Sequence, residues 1–225
     1  MARELSIFAD ESGGRGGTSS YFLLTLVLHD QSDPIAGAVA RYEESLRCAG
    51  LPGIPFHSEP LLNGHGPYEG LGMAQRKRML ASFGIMVQRL PVSYRTFAYR
   101  RSEVEEVAVL EARLKRDVSS FLFDNLPFFQ SFDDVKVYYD KGQDVVRRAI
   151  DQSVGFALSK GAVVRRTPAM ADYRLAQVAD YLCTVELAAL RYGAGEDGAT
   201  YAKFFGGPGS FKRNWLKQAR RKRLG

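Results

Sequence analysis

With 225 residues, 45% of them hydrophobic, the chain carries enough apolar material for one large domain with a sizeable core, and its net charge of +6 favours polyanionic partners. The longest apolar run, Tyr21 to Leu28, falls far short of the roughly 20 residues of a membrane span, and no signal-peptide pattern opens the chain. Cys48 and Cys183 have neither CxxC nor Cys/His spacing, so the expectation is a soluble, cytoplasmic protein with reduced thiols, without membrane segments, a disulfide framework or a zinc site.

Taken in order, Leu5-Ser6-Ile7-Phe8-Ala9 reads as a buried strand that ends in Asp10-Glu11-Ser12 and a glycine-rich turn, Gly13 to Gly17. An ionised carboxylate at the end of an apolar strand is costly unless something neutralises it, and a divalent metal would do so. Alternation along the strand places Asp10 on the face of Phe8 and Ser6 and turns Glu11 the other way. Asp10 is therefore the candidate ligand, and Glu11 is assigned to the turn or to a supporting role. Tyr21 to Leu28 reads as a central strand and the hairpin partner of the first. Asp33-Pro34 then predicts a helix to about Cys48, with Asp33 as its N-cap.

A Gly/Pro-rich loop from Gly50 to Gly72 holds Phe56-His57-Ser58-Glu59 and His65, and its length marks it as a functional candidate. Met79, Leu80, Phe83, Met86, Val87 and Leu90 give an amphipathic helix over 73–90. Val92 to Tyr99 reads as a third strand, and Ser102-Glu103 opens a long helix to about Asn125. Glu111 falls within the apolar stripe of that helix, between Ala108 and Leu114. Either it reaches a site, or it pairs with an arginine such as Arg113 or one from a neighbouring element. Val135 to Tyr139 is a fourth strand that again ends in an acid and a turn, Asp140-Lys141-Gly142. A helix over about 144–159, a short strand over 161–165 and a last long helix over about 172–192 complete the order, with Asp172 as an N-cap and Asp180 beside the apolar face. The segment after Gly209 carries seven Lys/Arg and no acid around Phe211, Trp215 and Leu216.

If the first and fourth strands lie parallel and adjacent, Asp10 and Asp140 meet at one sheet edge and helix acids can lean in. An all-oxygen set of this kind suits Mg²⁺ or Mn²⁺, and two such ions could activate a water and stabilise the leaving oxygen of a phosphodiester. The arrangement resembles the ribonuclease H-like superfamily, and more narrowly the family catalogued as domain of unknown function 3800. That resemblance is carried by Phe8 to Gly13, by Tyr138-Tyr139-Asp140, by Gln177-Val178-Ala179-Asp180-Tyr181, by His57 in the middle loop, and by Phe204-Phe205-Gly206 followed by the basic end. It implies an α/β fold with a mixed five-stranded sheet and helices on both faces. It further implies one domain over 1–225, elaborated at about 33–90, with a basic tail at about 210–225. Metal ligands would be Asp10, Asp140, Asp180 and, by topology with the wider superfamily alone, Glu111; His57 would be an accessory ligand or proton shuttle.

The function expected is that of a divalent-metal-dependent, nuclease-like phosphodiester hydrolase; the alternative is a catalytically idle fold used as a binding or interaction module. Nucleic acid would be met by Arg15 and by Lys212 to Arg223, the latter with base stacking on Trp215 and Phe211. Against these stand plainer assignments: Asp140 as a turn residue, His57 as a structural hydrogen-bonder and the basic end as a solubilising tail.

Overall fold

The computed structural model describes residues 2–13, 19–139, 143–158, 163–165, 173–196 and 198–225. In chain order its elements are β1 (Glu4–Ser12), β2 (Tyr21–Asp30), α1 (Ala36–Cys48), α2 (Ser58–Asn63), α3 (Met73–Arg89), β3 (Ser93–Arg100), α4 (Val107–Asp124), α5 (Leu126–Gln130), β4 (Asp134–Tyr138), α6 (Asp144–Leu158), β5 (Val163–Arg165), α7 (Arg174–Ala194), α8 (Ala199–Phe205), α9 (Pro208–Phe211) and α10 (Lys217–Arg220). They divide between two compact units. One comprises Met1–Asp33, Val92–Met170 and Arg223–Gly225, the other Pro34–Pro91 and Ala171–Lys222. The segment read as an elaboration at about 33–90 thus forms a unit of its own with the C-terminal part of the chain.

The first unit is built on a mixed sheet in the order β3-β2-β1-β4-β5. β1, β2 and β3 are antiparallel neighbours, while β4 runs parallel to β1 and β5 parallel to β4. The class is α/β, as the strand and helix alternation implies. On one face Leu5, Ile7, Ala9, Leu24, Leu26 and Val137 join Leu114, Val118 and Phe121 of α4 and Val146, Ala149 and Ile150 of α6 in a continuous core. The opposite face carries Phe8 stacked on Tyr138, with centroids 4.7 Å apart, and a hydroxyl pair, Thr25 to Thr96, at 2.8 Å.

The second unit is helical, and its centre is aromatic. Phe56 stacks on Phe83 at 3.9 Å, and Tyr42 and Tyr181 meet the Phe83 ring at 5.4 and 5.7 Å. Such a cluster needs no β-structure, because α1, α3 and α7 each contribute one ring at helical spacing.

Four local expectations are corrected. Asp33 does not cap α1: the cap position is Ile35, without a side-chain hydrogen bond, and Asp33 closes a turn by donating its N–H to the Asp30 carbonyl at 3.0 Å. The 50–72 loop contains α2 and a 3₁₀ turn at Gly66–Tyr68. The helix expected from Ser102 begins at Val107, after a 3₁₀ turn at Arg101–Glu103, because Val104 leaves the helical path to enter the core. The basic end is not a tail: α9, a π-helical turn at Lys212–Leu216 and α10 make one ordered rod. The glycine turn 14–17, Arg15, Asp140 with its turn, and Asp172 lie outside the described residues.

Candidate functional site

The candidate acids of the first unit that the structure describes on its sheet lie at the C-terminal end of β1. Glu11 continues the core face of Leu5, Ile7 and Ala9, where its carboxylate accepts from the Tyr139 hydroxyl and, at 3.1 Å, from Gln143 Nε2. Tyr139 is buried, and burial first, then the Glu11 carboxylate and the charge of Asp10, push its phenol far above the ordinary tyrosine range. Asp10, half-buried, lies on the other face by the alternation of the strand. The two adjacent acids therefore do different things. Glu11 ties the end of β1 to the chain entering α6, and Asp10 is left on the face of Phe8.

The hairpin end beyond these acids is clasped from β3. Arg101 donates from Nε to the Ser19 carbonyl at 3.2 Å, from Nη2 to the Gly13 carbonyl, and from its backbone N–H to the Ser20 carbonyl at 2.9 Å. Gly13 has φ of +85°, and a Cβ there would fall 2.0 Å from the Tyr21 carbonyl oxygen, so the Asp-Glu-Ser-Gly run requires its glycine.

Glu111 does not point an idle carboxylate at this site. Its oxygens accept from Arg148 of α6 and Lys115 of α4, each at 2.8 Å. Arg148 foremost, then Lys115, hold its pKa down to about 2. The acid in the apolar stripe is thereby accounted for as a clasp between two packed helices.

In the second unit the structure brings Asp180 and His57 together. Gln177 and Asp180, one turn apart on α7, accept the backbone N–H groups of Phe56 (3.1 Å) and Ser58 (2.7 Å), two residues apart on the extended segment entering α2. A helical i, i+3 pair thus matches the repeat of an extended strand. Asp180 in this way satisfies one of the unpaired donors at the start of α2. Burial pushes the Asp180 carboxyl up, opposed by the nearby His57 and by the Ser58 N–H. His57 is exposed, its N–H donating to the Tyr68 hydroxyl at 3.0 Å. The Ser58 hydroxyl is buried beside the Asp180 carboxyl, whose proton affinity it also lowers, and on the surface His65 meets Glu59 at 3.0 Å.

Among the described residues no group of three or more His, Cys, Asp or Glu is placed to hold a metal ion. Nor is any described helix long and apolar enough to cross a membrane. Sequence reasoning named Gln177 and Tyr139 only as motif members, without a role, and missed Gln143. The first carries a signal in its spacing to Asp180; the other two carry none until the fold places them on Glu11.

No family model matches the chain, and no curated protein sequence matches it. Among solved structures it is similar to the ribonuclease H2 of Pyrococcus horikoshii OT3, at 18% identity over 96% of each chain and a TM-score of 0.45. At that score the reading of the site rests on the chain's own residues.

Proposed function

We propose that the chain is a divalent-metal-dependent phosphodiester hydrolase, nuclease-like in its chemistry, whose Mg²⁺ or Mn²⁺ is held by Asp10 and Asp140. The observation that supports this reading is the parallel pairing of β1 and β4, with Phe8 opposite Tyr138. Asp10 follows Phe8 by two residues and Asp140 follows Tyr138 by two. Carboxylate oxygens are the donors a hard divalent cation takes, so the donor chemistry fits. The bound ion would supply an activated water and charge neutralisation at the phosphodiester. The chain's own contribution is to fix the end of β1, through Tyr139 and Gln143 on Glu11 and through Arg101 on the hairpin, so that Asp10 is presented from rigid backbone.

Asp180 and His57 are the second position of the proposal, a carboxyl with raised proton affinity beside an exposed imidazole. Glu111 is given the role of helix clasp, since both its oxygens are engaged. Calorimetric titration with Mn²⁺ tests the assignment: binding is expected in the wild type and lost in Asp10→Ala and in Asp140→Ala. Equal binding by wild type and Asp10→Ala would overturn it. The alternative, an idle binding module, is favoured by the engagement of Glu111. It predicts that the purified wild type leaves a mixed panel of labelled nucleic acids uncut in Mn²⁺.

A further inference from the structure

We infer that the rod formed by α9, the π-helical turn and α10 is a phosphate-backbone grip that binds nucleic acid without reading its bases. Of the seven cations between Lys212 and Arg223, three are committed. Arg220 donates from Nε and Nη2 to the two oxygens of the buried Glu186, at 3.1 and 2.7 Å. Lys222 donates to the Leu90 carbonyl at 2.5 Å, and Arg223 belongs to the other unit. The remaining four, Lys212, Arg213, Lys217 and Arg221, are exposed, and none of them forms an ion pair with a carboxylate among the described residues. They line a shallow groove with Leu216 and Gly209. The spacing of 213, 217 and 221 is i, i+4, i+8, one stripe of a helix.

The aromatic residues interleaved with these cations are engaged by other rings. Phe211 is buried and stacks on Tyr192 at 4.7 Å, and Trp215 lies edge-on to Phe205 at 5.1 Å. Base stacking, which the composition suggests, finds no fully exposed ring on this surface, Phe211 being buried and Trp215 half-buried. What is left is charge on a rigid stripe. From 212 to 221 the rise is about 14 Å, which matches roughly four phosphates at about 3.4 Å of axis per strand. A lipid surface would need the apolar side of the rod to enter the membrane, and that side is already occupied within the unit. The Glu186–Arg220 pair anchors the stripe, because a charge that makes a two-pronged contact to a buried carboxylate cannot drift with the ligand.

This grip goes beyond the hydrolase reading and is tested apart from it, by fluorescence anisotropy of labelled oligonucleotides in EDTA, where no metal-dependent step operates. Four contacts at a slope of about 0.7–0.9 each predict a roughly 50- to 150-fold loss of affinity between 50 and 200 mM salt. The variant Lys212→Gln/Arg213→Gln/Lys217→Gln/Arg221→Gln is expected to bind weakly with a salt slope reduced by about three. The wild type is expected to hold homopolymeric and mixed-sequence strands within a few-fold of each other. Thermal melts establish that the variant is folded, and single replacements, each expected to lower the slope by about 0.7–0.9, serve if it is not. An unchanged slope in a folded variant, a base preference above tenfold, or tight binding to anionic vesicles or polyglutamate with none to nucleic acid would each overturn the inference. Loss of Mn²⁺-dependent cleavage with the grip intact would instead count against the hydrolase reading alone.

Discussion

Replacing Tyr139 with phenylalanine removes one oxygen and leaves the ring in a site where the residue is 4% exposed. The ring stays in the core it shares with α4 and α6, so no cavity forms, and the effect isolates the hydrogen bond to Glu11. A hydrogen bond to a charged partner contributes about 1.5–3 kcal/mol net. Glu11 is half-buried and keeps its contact to Gln143, so water can take up part of the loss and the lower end applies, about 1.5 kcal/mol. In a chain of this size that corresponds to roughly 3–6 °C in Tm. Urea denaturation followed by circular dichroism measures it, with an unchanged m-value marking a change in stability alone. The double-mutant cycle with Glu11→Ala is expected to show a coupling of about 1 kcal/mol or more. A loss below about 0.5 kcal/mol together with no coupling would refute the assignment of Glu11 to the Tyr139 clasp.

Three further outcomes follow from single contacts. A Cβ on Gly84 would lie 2.7 Å from the Tyr181 hydroxyl and 3.4 Å from the Trp215 ring, so Gly84→Ala is expected to destabilise by about 1–2 kcal/mol despite the better helix propensity of alanine, and Tyr181→Phe in the same chain to restore most of it; a stabilising Gly84→Ala would contradict this. The raised pKa of Asp180 means that the folded state holds the proton more tightly than the unfolded chain, so stability falls as pH rises from about 4 through the folded value. Asp180→Asn keeps an oxygen for the Ser58 N–H and should flatten that fall in urea titrations at pH 4.5 and 7.5, whereas identical pH dependence in both proteins would count against it. Glu111 has the opposite sign: its depressed pKa gives stability above the unfolded value near 4.3 that is lost as pH drops toward about 2, and Glu111→Gln should remove that part of the acid sensitivity, an acid titration unchanged by the substitution being the contrary result.

The strands and long helices were readable because their apolar periods are clean. The pairing of β1 with β2 follows from two apolar runs joined by glycines, and α3 and α7 follow from 3.6-residue stripes. Readings failed where a local signal competed with a tertiary one. Asp33-Pro34 has the form of a helix start, yet the Asp30 carboxylate, by accepting from Ser32, organises a turn there first. Glu111 looked out of place in its stripe because Arg148, 37 residues on, was not yet beside it. Gln177 and Asp180 drew notice as a motif, but their contact to Phe56 and Ser58 spans more than 120 residues, and no local pattern announces a partner at that distance. Trp215 and Phe211 read as stacking platforms for the same reason: their charged neighbours were visible in sequence, and the rings that pack against them were not.

On the proposed metal-site reading, the two acids at the end of β1 would let one strand serve stability and chemistry together. Because successive side chains point to opposite faces, neighbouring carboxylates never compete for the same partners. Glu11 falls on the face where α6 approaches, and there a phenol and an amide saturate it, fixing the strand end against the core. Asp10 falls on the face of Phe8, whose ring is stacked on Tyr138 across a parallel pair. Moving the register of β1 by one residue would flip every side chain, turning the longer, more mobile glutamate away from the core and the shorter aspartate, with Phe8, toward it. On that reading the order Asp-then-Glu gives reach to the face where Tyr139 and Gln143 lie and a short carboxylate to the other. An Asp10→Glu/Glu11→Asp exchange, which preserves charge and composition, should therefore weaken both the Tyr139 clasp and Mn²⁺ binding. Retention of wild-type stability and affinity by the exchanged protein would show that the two faces are not specialised in this way.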